Sequence, residues 1–575
     1  MQRLVRYSLL IVVLTGIVLF LPSLSNGFLA DDVYHLAVLE RFERLDDVGP
    51  LSIYTFEEGK PDRMGPVQGS LGPWWASENY RQNFFRPVSS FFHLVDHSLF
   101  GLEPVGYHAT NLLLWGLLLA MVVWFYRELA RDFGQSSLTV LLAGLLFALD
   151  DAHVLNVAWL AHRYALVGAI FTLGAFLQYH RFRRDGKTRS LLWSLLLCTL
   201  GLLSDEGTIG IVFWVAAYEI CLRRDQLGKR AISAAPVMVL VLVYLTIYNL
   251  LGYGCAGSEN YLDPLRNPAR FVQEGFLERF PFLITGALTP VPAQLSFTRV
   301  VTGEAWPLLV AWGLGIVVVL LFVPLLRRNP LVRFMALCAL LSMLPRAAAF
   351  AHNRLLLLPT IGTAWMLAAY VTGARRDQPA SFLVLWSRRI VVVLILGFHG
   401  LVAPTQALFD TNGYRKQAKK ELAAALEAEM PGPEQSDDAR VLLLAGPASG
   451  VYMAGLRWIA GLPYPEAVWM VAAGKGAYRF TRTGPASFSI KLLSGDFLGG
   501  IGARNCVEEF SFSRGQRFRQ GAMQVVINDV EGGRIREIEV TIDRPLDQPE
   551  VWLVVWDGKR FIRRRVPPWT PPRRR

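Results

Sequence analysis

The chain returns again and again to apolar runs that reach or approach the ~20 residues of helix needed to cross a hydrocarbon core. They fall near 7–24, 110–126, 138–150, 163–180, 190–203, 208–222, 232–252, 306–326, 331–345, 355–373 and 390–405, which is roughly eleven spans. The apolar segment 280–298 is broken by prolines and reads as a re-entrant or interfacial piece, and 382–386 as a short stub. Only 18% of the 575 residues are charged, where a soluble domain carries about a quarter. The expected fold is a polytopic α-helical membrane bundle.

Basic residues sit in alternate connections. With Arg3 and Arg6 in the cytoplasm, the cytoplasmic loops hold Arg127 and Arg131; Arg181, Arg183, Arg184, Lys187 and Arg189; Arg223, Arg224, Lys229 and Arg230; Arg327, Arg328 and Arg333; and Arg375, Arg376, Arg388 and Arg389. Each is rich in Lys and Arg, as the positive-inside rule requires. The net charge of +12 is therefore topological. No basic patch is interleaved with aromatics, and nucleic-acid binding is not expected. The first run, after a basic start, could be a cleaved signal peptide. No small-x-small site follows it, so a retained helix is expected.

The large outer pieces are then 27–108, 253–305 and everything after about 405. Residues 1–405 form a transmembrane domain carrying the first two, 406–560 a C-terminal soluble domain on the periplasmic side, and 561–575 a Pro/Arg-rich tail suited to anionic headgroups. An amphipathic helix begins at Val33 and runs to about Leu45, and another begins at Pro87. Beyond the spans, Lys416–Met430 reads as helix, Val441–Ala445 and Trp469–Ala473 as strands, and the region from Tyr478 as mostly sheet, giving an α/β or mostly-β domain. Of the five cysteines, Cys198, Cys221 and Cys338 lie in or beside apolar runs. Cys255 and Cys506 could pair in an oxidising compartment.

This topology gathers ionisable residues on the outer face. Asp31 and Asp32 leave the first helix there. Arg86, His108 and Asn111 lead into the second. Asp150, Asp151, His153 and Asn156 follow the third, and His162 and Arg163 open the fourth. Ser204, Asp205 and Glu206 interrupt two apolar runs, and Arg346, His352, Asn353 and Arg354 link the ninth and tenth. Charges near a bilayer are expensive unless they face a polar cavity, so one site is expected.

Transfer of a group from an anionic lipid fits these residue types. A sugar on polyprenyl phosphate has its tail in the bilayer and its head at the interface. Arginine forks at Arg86, Arg163 and Arg354 match the oxygens of a leaving phosphate. Asp31 or Asp32 supplies the base that takes the acceptor's proton. Alternatives stay open at several positions. Asp31-Asp32 alone can be a solvated loop, and Arg86-Pro87 a turn before a helix. His93, Asp96 and His97 have a spacing that a divalent metal would use, without a further evident ligand. Trp74-Trp75 suits either a sugar-stacking platform or an interfacial belt.

The order of motifs resembles a known family. An acidic pair after the first helix is followed by FFRPVSSFFHLVDHSLFGLEPVGYHATNLLLW (84–115), LLAGLLFALDDAHVLNVAWLAHRYALVGAIF (141–171), LLSDEGTIGIVFWVAAYE (202–219) and HNRLLLLPTIGTAWMLAAY (352–370). Over roughly residues 20–370 this is similar to the polytopic C-type (GT-C) glycosyltransferases, most of all to the branch of the tetratricopeptide-bearing protein O-mannosyltransferases and their bacterial relatives.

The resemblance implies a GT-C-like bundle, a polyprenyl- or dolichyl-phosphate sugar donor, catalytic Asp31 and Asp32, and inversion at the sugar. It also implicates Arg86-Pro87, Tyr107-His108-Asn111, Trp159 with Arg163, and Asp205-Glu206, with His162 and His352 in support. There are departures. The family's His-Pro reads Asp150-Asp151, the acid that follows is replaced near Asn156, its Lys-Glu reads Asp205-Glu206, and 406–575 shows no tetratricopeptide period. The implied enzyme would sit in a bacterial inner membrane and act on its periplasmic face, with the acceptor (protein, lipid or polysaccharide) open. A transporter or flippase would show repeated halves and mid-membrane polar residues. An inactive scaffold remains the other alternative.

Overall fold

The computed structural model describes residues 7–40, 48–58, 73–373, 382–432, 439–465, 467–474, 476–499 and 503–566. Arg3, Arg6, Arg375, Arg376, the end of the expected helix beyond Glu40, most of the Gly/Pro-rich stretch after Glu58 and the tail from 567 lie outside them. The chain forms two compact units. The first is Met1–Gly27, Phe85–Gly252 and Pro264–Arg415, and the second is Phe28–Phe84, Tyr253–Asp263 and Lys416–Arg575. The second unit thus takes in two stretches of the outer pieces expected within 27–108 and 253–305, together with the C-terminal region.

The first unit is helical, and every one of the apolar runs carries helix. Among the described residues seven helices are long and apolar enough to cross a membrane: Ser8–Ser25, Pro104–Asp132, Leu160–Asp185, Leu227–Leu250, Trp306–Arg328, Asn353–Gly373 and Trp386–Leu426. The bent pair Ser137–Ala148 and Asp151–Ala158 would make an eighth. The chain is a multi-pass membrane protein. Thr188–Leu202, Ile211–Cys221 and Pro330–Arg346 are shorter helices in the same bundle. The proline-broken segment is helix Phe280–Leu288 followed by Leu295–Thr302.

Leu160–Asp185 and Asn353–Gly373 are buried along most of their length and form the centre. Trp306–Arg328 and Leu227–Leu250 leave most of their apolar surface outward, as lipid-facing helices do. Lipid tails give apolar side chains no reason to prefer a protein neighbour, so close backbone approach through small residues has to hold such helices together. Gly16 in the first helix lies against Trp115 and Leu119, Gly144 against Val12, and Gly362 against the Met335 backbone carbonyl, where a Cβ would collide. The first helix is part of the bundle core through Val12 and Phe20.

At one end the basic connections do more than mark topology. Arg183 is buried and bridges Glu219 and Asp225, each at 2.6 Å, while His180 Nε2 lies 2.9 Å from Asp132 and Arg184 pairs with Glu128 at 3.0 Å. These contacts tie helices Pro104–Asp132, Arg163–Asp185 and Ile211–Cys221 together.

The second unit is mixed α/β with three sheets. β1 (Thr55–Glu58), β2 (Arg81–Asn83) and β3 (Gly254–Ala256) pair antiparallel, joining two segments far apart in sequence. β4 (Arg440–Ala445) runs parallel to β5 (Ala467–Met470) and to β11 (Val551–Trp556), and β12 (Phe561–Arg563) closes that sheet antiparallel. The third sheet has the antiparallel order β6-β7-β10-β9-β8, formed by Gly476–Arg482, Ser487–Gly495, Arg534–Thr541, Met523–Glu531 and Arg517–Gln520. The C-terminal region is rich in β-sheet, with the short helix Met453–Ile459 beside its strands.

Trp74 and Trp75 are neither a sugar platform nor an interfacial belt. Both rings are buried in this unit's core, and their indole N–H groups donate to the Val471 carbonyl (3.0 Å) and the Ala503 carbonyl (3.1 Å). A buried indole is stabilised when its N–H finds such an acceptor. Cys506 carries no disulfide among the described residues, so the bridge to Cys255 that two outer-side cysteines suggested is not formed.

The Gly362 contact is testable. Gly362→Ala should cost about 1–3 kcal/mol, as overpacking does where backbone cannot yield. It should read as a lower melting temperature of the detergent-purified chain; an unchanged melt would show that the two helices do not touch there.

Candidate functional site

The acid pair belongs to the second unit. Asp31 and Asp32 open helix Asp31–Leu39 directly after Ala30, which holds φ +51°, the one positive φ outside glycine among the described residues. A side chain in that conformation costs of order 1–3 kcal/mol, and such strain persists only where its surroundings fix it. Here the Leu29 N–H donates to Asp32 Oδ2 (2.9 Å), and the Val33 N–H to the Ala30 carbonyl (3.0 Å). Two carboxylates at a helix N-terminus are also favoured by the helix dipole.

The two acids differ. Asp32 is 3% exposed and folded back on its own turn. Asp31 is partly exposed and accepts a hydrogen bond from the Tyr452 hydroxyl at 2.6 Å.

The arginines belong to the first unit and sort into two groups. Arg163, expected on a phosphate, is fully buried at the start of the central helix. Its Nη1 lies 2.6 Å from Asp96, its Nε–H donates to Asn111 Oδ1 (2.6 Å) and its Nη2 to the Tyr107 carbonyl (2.8 Å). Asn111 in turn donates to the Val157 carbonyl (3.0 Å), and buried His108 has Arg163 as its charged neighbour. This fork has no face left for a ligand. Arg163, His108 and Asn111 are a staple between helices Pro87–Phe100, Pro104–Asp132 and Arg163–Asp185, which corrects the phosphate role for Arg163. The same contact disposes of the His93-Asp96-His97 metal reading, because Asp96 is committed to Arg163 and to the Thr110 hydroxyl (2.7 Å). Among the described residues no three His, Cys, Asp or Glu side chains gather as a metal would need.

The second group is built on the turn Ser204–Gly210. Pro87 starts its helix at the first position, where its missing N–H costs nothing, and Val88 N–H and Ser89 Oγ donate to the Leu203 and Ser204 carbonyls. That fixes Arg86, whose Nε and Nη2 reach Glu206 Oε2 at 2.8 and 2.7 Å and whose guanidinium lies 3.6 Å above the Tyr164 ring. Burial works against this cation, but Glu206, with Tyr164 and Asp205 behind it, more than offsets the cost and holds its pKa well above the ordinary value. Asp205 caps the turn through the Gly207 N–H (3.0 Å) and pairs with Arg346 Nη2 at 2.6 Å. Arg346 lies so flat on Gly207 that a Cβ would strike its guanidinium.

Arg354 is different. Its guanidinium carbon stands 4.6 Å from the Phe350 ring and 5.8 Å from Trp159, and its buried Nε has no hydrogen-bond partner among the described residues. His352 accepts from the Arg354 backbone N–H (3.1 Å); burial, then the Arg354 charge, lower its pKa to about 3, so the ring is neutral. His162, hydrogen-bonded to the Tyr164 hydroxyl at 2.9 Å, has Arg354, Arg346 and Arg86 as its charged neighbours. Three guanidinium groups thus converge around one histidine with two carboxylates, Asp205 and Glu206, among them. Such a cluster suits an anion carrying more than one oxygen.

The altered motif Asp150-Asp151 is satisfied locally. Asp150 accepts from the Ala152 N–H (2.9 Å) and lies 3.7 Å from His399 Nδ1, and Asp151 accepts from Asn353 Nδ2 (3.2 Å). Sequence reasoning missed Arg346 and Tyr164 as members of the cationic cluster, and Tyr452 altogether. Arg346 was visible as an outer-side cation; Tyr452 carried no signal.

The two arginine types should separate in stability. Arg163→Met leaves Asp96 buried and unpaired, which costs about 3–5 kcal/mol and should sharply lower the melting temperature. Arg354→Met removes no ion pair, so its melt should stay close to the parent. Equal losses would overturn the assignment of Arg163 as a staple.

No family model matches the chain. It is similar to protein O-mannosyl-transferase Tmtc1 of Drosophila melanogaster, 30% identical over 195 residues (33% of this chain, 20% of that protein). It is also similar to human protein O-mannosyl-transferase TMTC3, 26% identical over 252 residues (40% and 26%), and to human TMTC4, 32% identical over 161 residues (25% and 22%). The match spans about a quarter or less of the length of these relatives. Among solved structures it is similar to an archaeal oligosaccharyltransferase, AglB of Archaeoglobus fulgidus, at 12% identity and TM-score 0.38 over 82% of this chain and 65% of that one. ArnT of Cupriavidus metallidurans gives 13% identity and TM-score 0.36 over 79% and 85%. The resemblance read from the motifs therefore has a counterpart in sequence similarity to the protein O-mannosyl-transferases.

Proposed function

We propose that the chain is an inverting membrane glycosyltransferase of a bacterial inner membrane. It moves a sugar from a polyprenyl-phosphate-linked donor to an acceptor on the periplasmic face. The observation that carries this reading is the state of Arg354: a half-buried guanidinium held beside aromatic faces, with a buried Nε–H unmatched among the described residues, next to two arginines that are matched by carboxylates. A cation kept that way is ready for an anionic ligand. The likeness to protein O-mannosyl-transferases supports the reaction class, and protein is the first acceptor to test.

The step is simple in atoms. The acceptor hydroxyl oxygen bonds to the anomeric carbon, the bond from that carbon to the phosphate oxygen breaks, and its electron pair leaves with polyprenyl phosphate. Arg354, with Arg86 and Arg346, stabilises the charge that develops on the phosphate. The hydroxyl proton passes to Asp31, the acid whose carboxylate is partly exposed, while Asp32 holds the strained turn. Glu206 orients Arg86, neutral His352 lines the cluster without adding charge, and His162 lies among the three guanidinium groups. No step requires a metal, though a divalent ion on the donor's phosphate would act alongside the arginines.

The test uses the full chain in nanodiscs with polyprenyl-phosphate-mannose and an envelope extract of the deletion strain as acceptor. Asp31→Asn should lower polyprenyl phosphate release by at least ~10²-fold, the usual worth of a general base, and should fail to restore the envelope glycan profile of the deletion strain. Full complementation by Asp31→Asn would end the proposal and favour a scaffold.

The orientation has its own check. A cysteine at exposed Leu265 should react with a membrane-impermeant maleimide in intact spheroplasts, and one at Lys187 should not. The reverse pattern would place the chemistry in the cytoplasm.

A further inference from the structure

The polypeptide after residue 415 contributes a side chain directly to the acid pair. Tyr452 ends a short turn, Ala448–Tyr452, that leads into helix Met453–Ile459, and this helix packs on helix Asp31–Leu39. The turn rests on the four-stranded sheet. Gly450 comes so close to Phe561 of β12, Leu443 of β4 and Met470 of β5 that a Cβ would press on all three. Beyond the turn, Arg457 is buried and donates to the Ala425 carbonyl (3.0 Å) and the Pro463 carbonyl (2.8 Å), which anchors the helix on both sides. The phenol is therefore held from behind, and its hydroxyl meets Asp31 Oδ1 at 2.6 Å.

We propose that Tyr452 is a positioning residue for Asp31. Its hydroxyl donates to one carboxylate oxygen, stabilises the ionised form that can accept a proton, and fixes the carboxyl plane. The proposal rests on the reading of Asp31 as general base. It gives the C-terminal part of the chain a task within the reaction, where otherwise it would be a passenger.

The surroundings agree with a phenol that stays protonated. Burial first, and then the Asp31 carboxylate, raise its pKa well above the ordinary value. The other titratable groups facing it are Glu421 of helix Ala403–Leu426 and Tyr80 of the segment before β2. Asp31's own helix also carries the titratable residues Asp32, Tyr34 and His35. A hydrogen bond to the charged form of a carboxylate lowers its pKa, so removing the donor must raise it.

The experiment uses the full chain in nanodiscs and the pH dependence of polyprenyl phosphate release. Tyr452→Phe should move the acid limb of the profile to higher pH and lower the rate on the plateau. Replacing Tyr452 by 3-fluorotyrosine, a stronger donor of nearly the same shape, should move that limb to lower pH. Glu421→Gln should leave the limb where it is.

The fluorine also gives a readout without turnover. Its NMR resonance should titrate with the acid limb in the parent and lose that titration in Asp31→Asn. An acid limb unmoved by both Tyr452 replacements, in protein whose melt shows that it is folded, would overturn the proposal. If Asp31→Asn keeps full transfer while the fluorine titrates in the fluorotyrosine-bearing chain that retains Asp31, the contact stands and the general-base reading falls.

Discussion

A guanidinium carried into a helical bundle in lipid costs several kcal/mol unless something nearby neutralises it. Most of the first unit can be read as the answer to that demand. Arg163 draws in Asp96, Asn111 and two backbone carbonyls; Arg183 draws in Glu219 and Asp225; Arg346 takes Asp205 and Arg86 takes Glu206. Each partner comes from another helix or turn, so each act of neutralisation is also a tertiary contact. Arg354 is met by ring faces instead, and by no carboxylate among the described residues. The kind of partner, more than burial, separates an arginine that holds the bundle from one suited to a ligand.

That distinction explains what the sequence could reveal. The apolar runs near 110–126 and 163–180 became helices because length and composition suffice for a span, and no partner choice enters. The gathering of Arg86, Glu206, His162, His352 and Arg354 was also legible, since most of them lie at the ends of apolar runs and a bundle has few places to put such ends. The role of Arg163 was not. Residue type announces a cation, but whether Asp96, 67 positions earlier on another helix, reaches it is decided by packing. Trp74 and Trp75 failed for the same reason: a paired indole next to a membrane invites an interfacial reading, and the carbonyls that bury these two belong to residues hundreds of positions later.

The acid pair shows a third kind of information. Two adjacent aspartates are conspicuous in sequence, yet their inequality is not. It comes from the backbone at Ala30, which turns one carboxylate back onto the Leu29 N–H and leaves the other to the Tyr452 hydroxyl. A bare alanine in a glycine-like conformation gives no hint of itself in the chain. The conformation is kept because the groups around it are satisfied in no simpler way.

The core of the second unit is assembled from stretches made at very different times. Trp74 is synthesised 397 residues before its acceptor Val471, and Tyr452 follows Asp31 by 421. At a ribosome rate of about 5–20 residues per second, the early segment waits roughly 20–80 s before the rest arrives. During that interval the membrane helices between them are inserted while two tryptophans stand without a home. Biogenesis of this protein therefore has a built-in order, bundle first and α/β unit last. A chain cut short before β11 would carry a membrane anchor complete in most of its helices and an acid pair deprived of the fold around it.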